Sequence, residues 1–234
     1  MSQDIELLLK AIGSGDLRVV KRLTKKDPTL LNTIIRPGRN RDYRPLTEAA
    51  VECQLDILSY LIDSGCDVNE DDRYPMFRAA LYDRCVPALE MLVENGTEVN
   101  GVWADYGPPI IASCEGMSLK TMEWLLENGA KITGTGKGKS EKVPWNTLVH
   151  AGHFDKHRRG LLALLIEHGC DVNSQHRDGR NGKADTALHS VARKGDVTAV
   201  RLLLKNGANP GLKDDDGLRA IDLTKNKQVR ALLG

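Results

Sequence analysis

Apolar positions in this chain come in short helical bursts. Leu55, Leu58, Leu61 and Ile62 fall on one face of a helix, and Val197, Val200, Leu203 and Leu204 repeat the arrangement further on. Each burst supports only about 8–10 residues of helix, too few to persist alone in water. A Gly closes each one, as expected where a chain turns left-handed to leave a helix. The pattern predicts a series of short helices, each dependent on its neighbours to bury the shared face. No apolar run approaches the ~20 residues of a membrane-spanning helix. Residues 1–10 carry Asp4 and Glu6 and lack the basic-then-apolar order of a secretory leader.

The bursts are copies of one phrase: two aliphatic residues, two polar ones, Gly, a small residue, a polar residue, Val or Ile, and often Asn. It reads Leu61-Ile62-Asp63-Ser64-Gly65-Cys66-Asp67-Val68-Asn69, then Leu92-Val93-Glu94-Asn95-Gly96-Thr97-Glu98-Val99-Asn100. It returns with Gly129, Gly169 and Gly207, so the glycines stand 31, 33, 40 and 38 residues apart. A second phrase lies upstream of each copy: Pro45-Leu46-Thr47-Glu48-Ala49-Ala50, Pro75-Met76-Phe77-Arg78-Ala79-Ala80, and Thr186-Ala187-Leu188-His189-Ser190-Val191-Ala192. Thr or Pro suits a helix N-terminus. The small residues let neighbouring helices approach closely.

Together the two phrases resemble the ankyrin repeat, with its T-P-L-H-x-A opening and its second helix ending in L-L-x-x-G-A. The resemblance covers nearly the whole chain. It implies an all-α solenoid of stacked helix-turn-helix units with β-hairpin or finger loops, and a concave face that binds other proteins. It also implies that His189, at the signature His position, hydrogen-bonds between adjacent repeats. Seven units fit the register within a single domain, residues 1–234: roughly 3–32, 41–70, 71–104, 105–133, 143–173, 183–213 and a C-terminal cap, 214–234. The connections 33–40, 134–142 and 174–182 are too long for the repeat and read as projecting fingers; insertions in such arrays gather on one side, often the binding side.

The chain holds 33 Lys and Arg against 32 Asp and Glu, and its formal charge of +1 excludes a strongly basic nucleic-acid binder on bulk charge. Locally the charges separate. Residues 33–44 carry +3, 131–142 carry +3, 174–183 carry +2, and 153–159 add +2. Two central connections are acidic: Glu70, Asp71 and Asp72 with Arg73 give −2, and Glu98 with Asp105 gives −2 beside Trp103 and Tyr106. By register the inner face of the first helices carries Glu48, Val51 and Glu52, then Arg78, Leu81 and Tyr82, then Glu115, His150 and His153, and finally Ser190, Arg193 and Lys194. The candidate partner-binding residues are Arg36, Arg39, Arg41, Arg78, Tyr82, Trp103, Tyr106, Lys137, Lys139, His153, Arg177 and Arg180. The aromatics would act as apolar anchors, and the cations of the fingers would steer acidic patches into place. Trp124, beside Leu125 and Leu126, is assigned to the core, and Trp145 to a staple at the start of the fifth unit.

Little in the chain points to catalysis. Residues 134–140 evoke a phosphate-binding loop, but Thr133 stands where its first Gly must be and the segment leads to Pro144, so a flexible basic finger is the better reading. His150, His153 and His157 would share a helical face, but Gly152 and the insertion after it end that helix near Phe154, and no fourth metal ligand accompanies them. Five cysteines with no C-x-x-C pair read as free thiols in a reducing compartment. No nucleophile–base constellation stands out.

The resulting expectation is a non-enzymatic cytoplasmic protein, monomeric alone, without cofactor or metal. It would bind a partner protein bearing acidic patches through its concave face and fingers. The alternatives are an inhibitor, immunity or effector-type protein that blocks an enzyme, and a nucleic-acid or phosphoinositide binder using the basic fingers. The acidic stretch between the basic ends disfavours the last.

Overall fold

Helices alternate along the chain between two rows. In the computed structural model the described residues are 3–34, 44–102, 107–137, 142–152, 159–177 and 184–234. The first row holds α1 (Gln3–Ser14), α3 (Pro45–Val51), α5 (Glu70–Ala79), α7 (Pro109–Gly116), α9 (Thr147–Gly152) and α11 (Ala187–Arg193), and closes on a 3-10 turn, Ala220–Leu223. The second row holds α2 (Leu17–Lys26), α4 (Leu55–Asp63), α6 (Val86–Glu94), α8 (Leu119–Glu127), α10 (Arg159–Glu167), α12 (Val197–Lys205) and α13 (Lys227–Leu233). Each helix contacts its partner in the other row and the next helix of its own row. One continuous apolar core runs between the rows from Leu8 to Leu233.

Composition explains this packing. After α1, which buries only Leu8, Ala11 and Ile12, the first-row helices bury almost all of their described side chains, because small residues such as Ala49, Ala50, Ala79, Ala80 and Ala112 let backbones come close. Second-row helices bury one stripe each, such as Ile57, Leu58 and Leu61 in α4 and Ala199, Val200 and Leu203 in α12. The Gly that ends the second helix takes positive φ in each copy, from +76° at Gly169 to +98° at Gly96. Gly116 serves a different purpose: a Cβ there would lie 1.9 Å from the Leu81 carbonyl oxygen, so the close approach of α7 to the preceding repeat requires its absence.

The Asn at the end of the phrase ties repeats together. Asn100 donates from Nδ2 to the Gly129 carbonyl at 3.0 Å and accepts the Lys131 N–H at 2.8 Å. Asn173 does the same with Gly207 and Asn209, at 3.0 and 2.7 Å. His189 also bridges: its ring pairs through Nδ1 with the Thr186 hydroxyl at 2.8 Å and through Nε2 with the Leu218 carbonyl at 3.2 Å, in the next unit.

One segment departs from expectation. The acidic residues 70–73, read as a central finger, form the start of α5, which runs through Pro75 instead of beginning there. Three acidic residues at the positive end of the helix dipole favour that extension. The basic segment 134–142, read as a projecting finger, contributes to an antiparallel hairpin of β1 (Thr133–Lys137) and β2 (Lys142–Asn146), in keeping with the β-hairpin or finger loops expected, with Thr133 opposite Asn146 and Lys137 opposite Lys142. A shorter hairpin pairs β3 (His176–Arg177) with β4 (Ala184–Asp185).

Candidate functional site

From α3 to α11 the first-row helices bury nearly every described side chain and leave one ionisable position open, whereas the capping helix α1 buries only Leu8, Ala11 and Ile12. In α3 the partly exposed residue is Glu48; in the described part of α5 it is Arg78; in α9 it is His150. In α7 it is Glu115, beside Gly116, and in α11 it is Arg193. From α3 to α11 the row thus presents a line of single ionisable groups, one per helix, on a backbone fixed by the burial around it. Glu52, Tyr82 and Lys194 extend the line at the helix ends.

These groups interact across repeats. Burial pushes the Glu48 carboxyl above its ordinary value, the neighbouring Glu52 pushes it further, and Arg78 of the next helix opposes both. Arg84 Nη2 donates to the Val51 carbonyl at 2.9 Å and reaches Glu52 Oε2 at 3.4 Å. Its guanidinium lies 4.9 Å from the centre of the Tyr82 ring. His150 Nε2 stands 3.7 Å from Glu115 Oε1. Arg193 Nη1 lies 2.9 Å from Asp185 Oδ2, on a carboxylate whose side chain is only 1% exposed. Breaking that pair would leave the Asp185 carboxylate buried without a counter-charge, so it holds Arg193 at the base of the β3–β4 hairpin.

The placement of the sequence-derived residues divides in three. Arg78 and Tyr82 lie on the first-row surface, Arg78 in the open position of α5 and Tyr82 just beyond the helix end. Tyr82 is half-buried against the core beneath Arg84, so it offers only part of its ring to a partner. Lys137 lies on β1 and Arg177 on β3, so the hairpins carry both beside the row. Arg36, Arg39, Arg41, Trp103, Tyr106, Lys139, His153 and Arg180 lie outside the described residues. Trp124, assigned to the core, packs against it half-buried. Sequence reasoning missed Arg84 and Asp185, which pin the ends of the row. The signal for Asp185 was its place directly before the Thr186 helix start, where a buried acid needs a cation within reach.

Among the described residues no group of His, Cys, Asp and Glu is arranged to hold a metal, and no helix is long and apolar enough to cross a membrane. The five cysteines are free thiols.

Comparison with known proteins gives the same architecture. One family model, ankyrin repeats in three copies, matches residues 7–102, and another, ankyrin repeats in many copies, matches residues 159–223. The chain is 24% identical over 200 residues, 78% of its length, to alpha-latrocrustotoxin-Lt1a of Latrodectus tredecimguttatus, and it spans 13% of that protein. It is 35% identical over 119 residues, 47% of its length, to the B-cell lymphoma 3 protein homolog of Mus musculus, and it spans 24% of that protein. The crystal structure of the human ASB11 ankyrin repeat domain superposes with a TM-score of 0.71 at 24% identity, covering 97% of this chain and 96% of that one.

Proposed function

Because the chain belongs to the ankyrin-repeat family, a fold used generally as a protein-interaction scaffold, we propose that it is a non-enzymatic module that holds one partner protein against its first-row helices and hairpins. The observation that carries this reading is the line Glu48, Arg78, Glu115, His150 and Arg193. Each first-row helix from α3 to α11 spends its one open described position on a group able to form charged or hydrogen-bonded contacts, and the buried side chains around it hold it in place. Such a surface loses little conformational freedom when a partner docks, which favours affinity. Glu48, Arg78 and Glu115 alternate in sign along the row, so this part of the line discriminates between partners by register more than it attracts them. Attraction falls to the basic fingers, with Lys137, Lys139, Arg177 and Arg180 meeting acidic patches. We place the protein in the cytoplasm, as a monomer when unbound.

The test is affinity capture from source cells with the full chain, identification by mass spectrometry, and repetition with Arg78→Glu and with Lys137→Glu/Lys139→Glu. A captured protein lost with the first variant and slowed in association by the second supports the reading. A partner retained at full affinity and unchanged on-rate by both overturns it.

A further inference from the structure

We propose that the exposed face of α2, in the second row, is a separate docking surface for a short carboxylate-rich segment of a partner protein. The inference rests on the protein-binding reading above, but not on the first-row residues.

Helix α2 buries Val20, Leu23 and Thr24. Its other face exposes Arg18, Lys21, Arg22 and Lys25, spaced i, i+3, i+4 and i+7. That spacing stacks them into one stripe about 10 Å long, with neighbours about 5–6 Å apart. Local helix physics opposes the arrangement. Arg18 and Arg22, and Lys21 and Lys25, are like-charged i,i+4 pairs, and Arg18 stands in the first turn, where the helix dipole disfavours a cation.

The stripe is also left uncompensated. Among the described residues no carboxylate forms a salt bridge with Arg18, Arg22 or Lys25. Lys26, just off the stripe, is satisfied by Asp4 at 2.8 Å, and the Lys21 ammonium stands 5.2 Å from the centre of the Tyr60 ring. Beside the first row, by contrast, a charge is set against its opposite, as in Asp185 with Arg193.

The surroundings select the occupant. Asp16 and Asp27 bound the stripe at its two ends. The next helices of the second row expose acids, Asp56 and Asp63 on α4 and Glu90 and Glu94 on α6. A nucleic-acid strand or an anionic membrane plane extending across the row would meet these four carboxylates. A two-turn acidic segment would not, and carboxylates on one helical face repeat at the same spacing as the cations they would meet.

The experiment uses the full chain labelled with nitrogen-15, titrated at about 50 mM salt, where surface charge is only partly screened. The probe is a helical Ala-based peptide with Glu at i, i+3, i+4 and i+7. Saturable amide shifts concentrated in residues 17–26 are expected. The affinity should fall at least about tenfold in Arg18→Glu/Arg22→Glu/Lys25→Glu and in the milder Arg18→Gln/Arg22→Gln/Lys25→Gln, and stay unchanged in Arg78→Glu. The inference is overturned if the Gln-for-Glu peptide binds equally, if the shifts fall on the first row, or if an oligo-dT of equal charge or phosphatidylserine vesicles occupy α2 more tightly. If the peptide misses α2 while captured protein still depends on Arg78, this inference falls and the protein-binding reading stands. If the peptide saturates α2 while no protein is captured, the inference survives and the first-row reading falls.

Discussion

Asn173 holds Gly207 across a repeat boundary, donating from its side-chain amide to the glycine carbonyl at 3.0 Å. The same side chain accepts the Asn209 N–H at 2.7 Å. One Asn therefore satisfies a carbonyl and an amide of the turn that ends α12, groups that the helix itself leaves without partners. In a stacked array, where stability is a sum over units and their interfaces, such a contact acts on the interface term.

Asn173→Ala should cost about 1 kcal/mol, the net worth of two partly exposed bonds. Asn173→Asp should recover part of that loss, because it keeps the acceptor and loses the donor. Urea denaturation gives the cost, and hydrogen exchange at Asn209 locates it. An unchanged midpoint together with unchanged Asn209 protection would show that the bridge contributes nothing.

The turn between the first and second helix offers a paired test of backbone strain and close packing. Met117 holds a left-handed conformation, φ 57°, at 50% exposure. An L-residue there costs about 1–2 kcal/mol, partly offset by its smaller unfolded-state entropy. Met117→Gly should therefore stabilise the chain by about 0.5 kcal/mol. One residue earlier the sign reverses. Gly116→Ala would place a Cβ 1.9 Å from the Leu81 carbonyl oxygen, and rigid backbone on the far side should make it cost more than about 3 kcal/mol. Thermal unfolding of the two single variants checks both, and similar changes of one sign would refute the contrast.

The repeated phrases made the helix pairing and the positive-φ glycines legible, because each depends on residues next to each other in the chain. The departures arise where a repeat yields to its context. Pro75 marks a helix start by rule, but the acidic residues before it suit a helix N-terminus as well, and the chain takes the longer helix. The connection 134–142 was legible as a projecting finger, but its register, with Thr133 opposite Asn146, depends on two segments meeting in space. Register placed Glu48, Arg78, Glu115, His150 and Arg193 on the inner face, but it placed Val51 and Ser190 there too, and the structure buries both. The pairing along the row was not legible, since Arg84 over Tyr82 and Arg193 on Asp185 depend on the paths of the chain beyond the helix ends. The α2 stripe was present as plain i, i+3, i+4, i+7 spacing, masked by its place in a capping unit where charge reads as solvation.

Glu48 sets the acid-side behaviour of the first row. Burial first, then Glu52, raise its pKa above the reference 4.5, and Arg78 lowers it less than they raise it. The folded state then binds this proton more tightly than the unfolded one. Stability is lost as pH climbs from the unfolded pKa through the folded one, and the ionised group opposes folding at neutral pH. Glu48→Gln should raise the urea midpoint at neutral pH, by less than about 1 kcal/mol given partial exposure, and the gain should vanish below about pH 4. Glu52→Gln should lower the Glu48 pKa in a carbon-13 titration. A neutral-pH loss of stability in Glu48→Gln would mean that the Arg78 attraction dominates instead.

Two thiols give a measure of how tightly the array excludes water. Cys85 is fully buried and donates to the Val51 carbonyl at 3.1 Å; burial, then the nearby Cys53, push its pKa up to about 11. Cys170 is only half-buried, yet burial and then Asp171 push it up to about 11 as well. Relative to the reference of 9.0, each thiolate is scarcer at neutral pH by about 100-fold, and the thiolate is the nucleophile. With iodoacetamide, Cys170 should react far more slowly than in the unfolded chain, at a rate rising tenfold per pH unit past 9. Asp171→Asn should speed it, while Cys85 should label only as the chain unfolds. Cys170 alkylation at the unfolded-chain rate would show that its repeat opens freely, and labelling of Cys85 without global unfolding would place the weak interface between the second and third units.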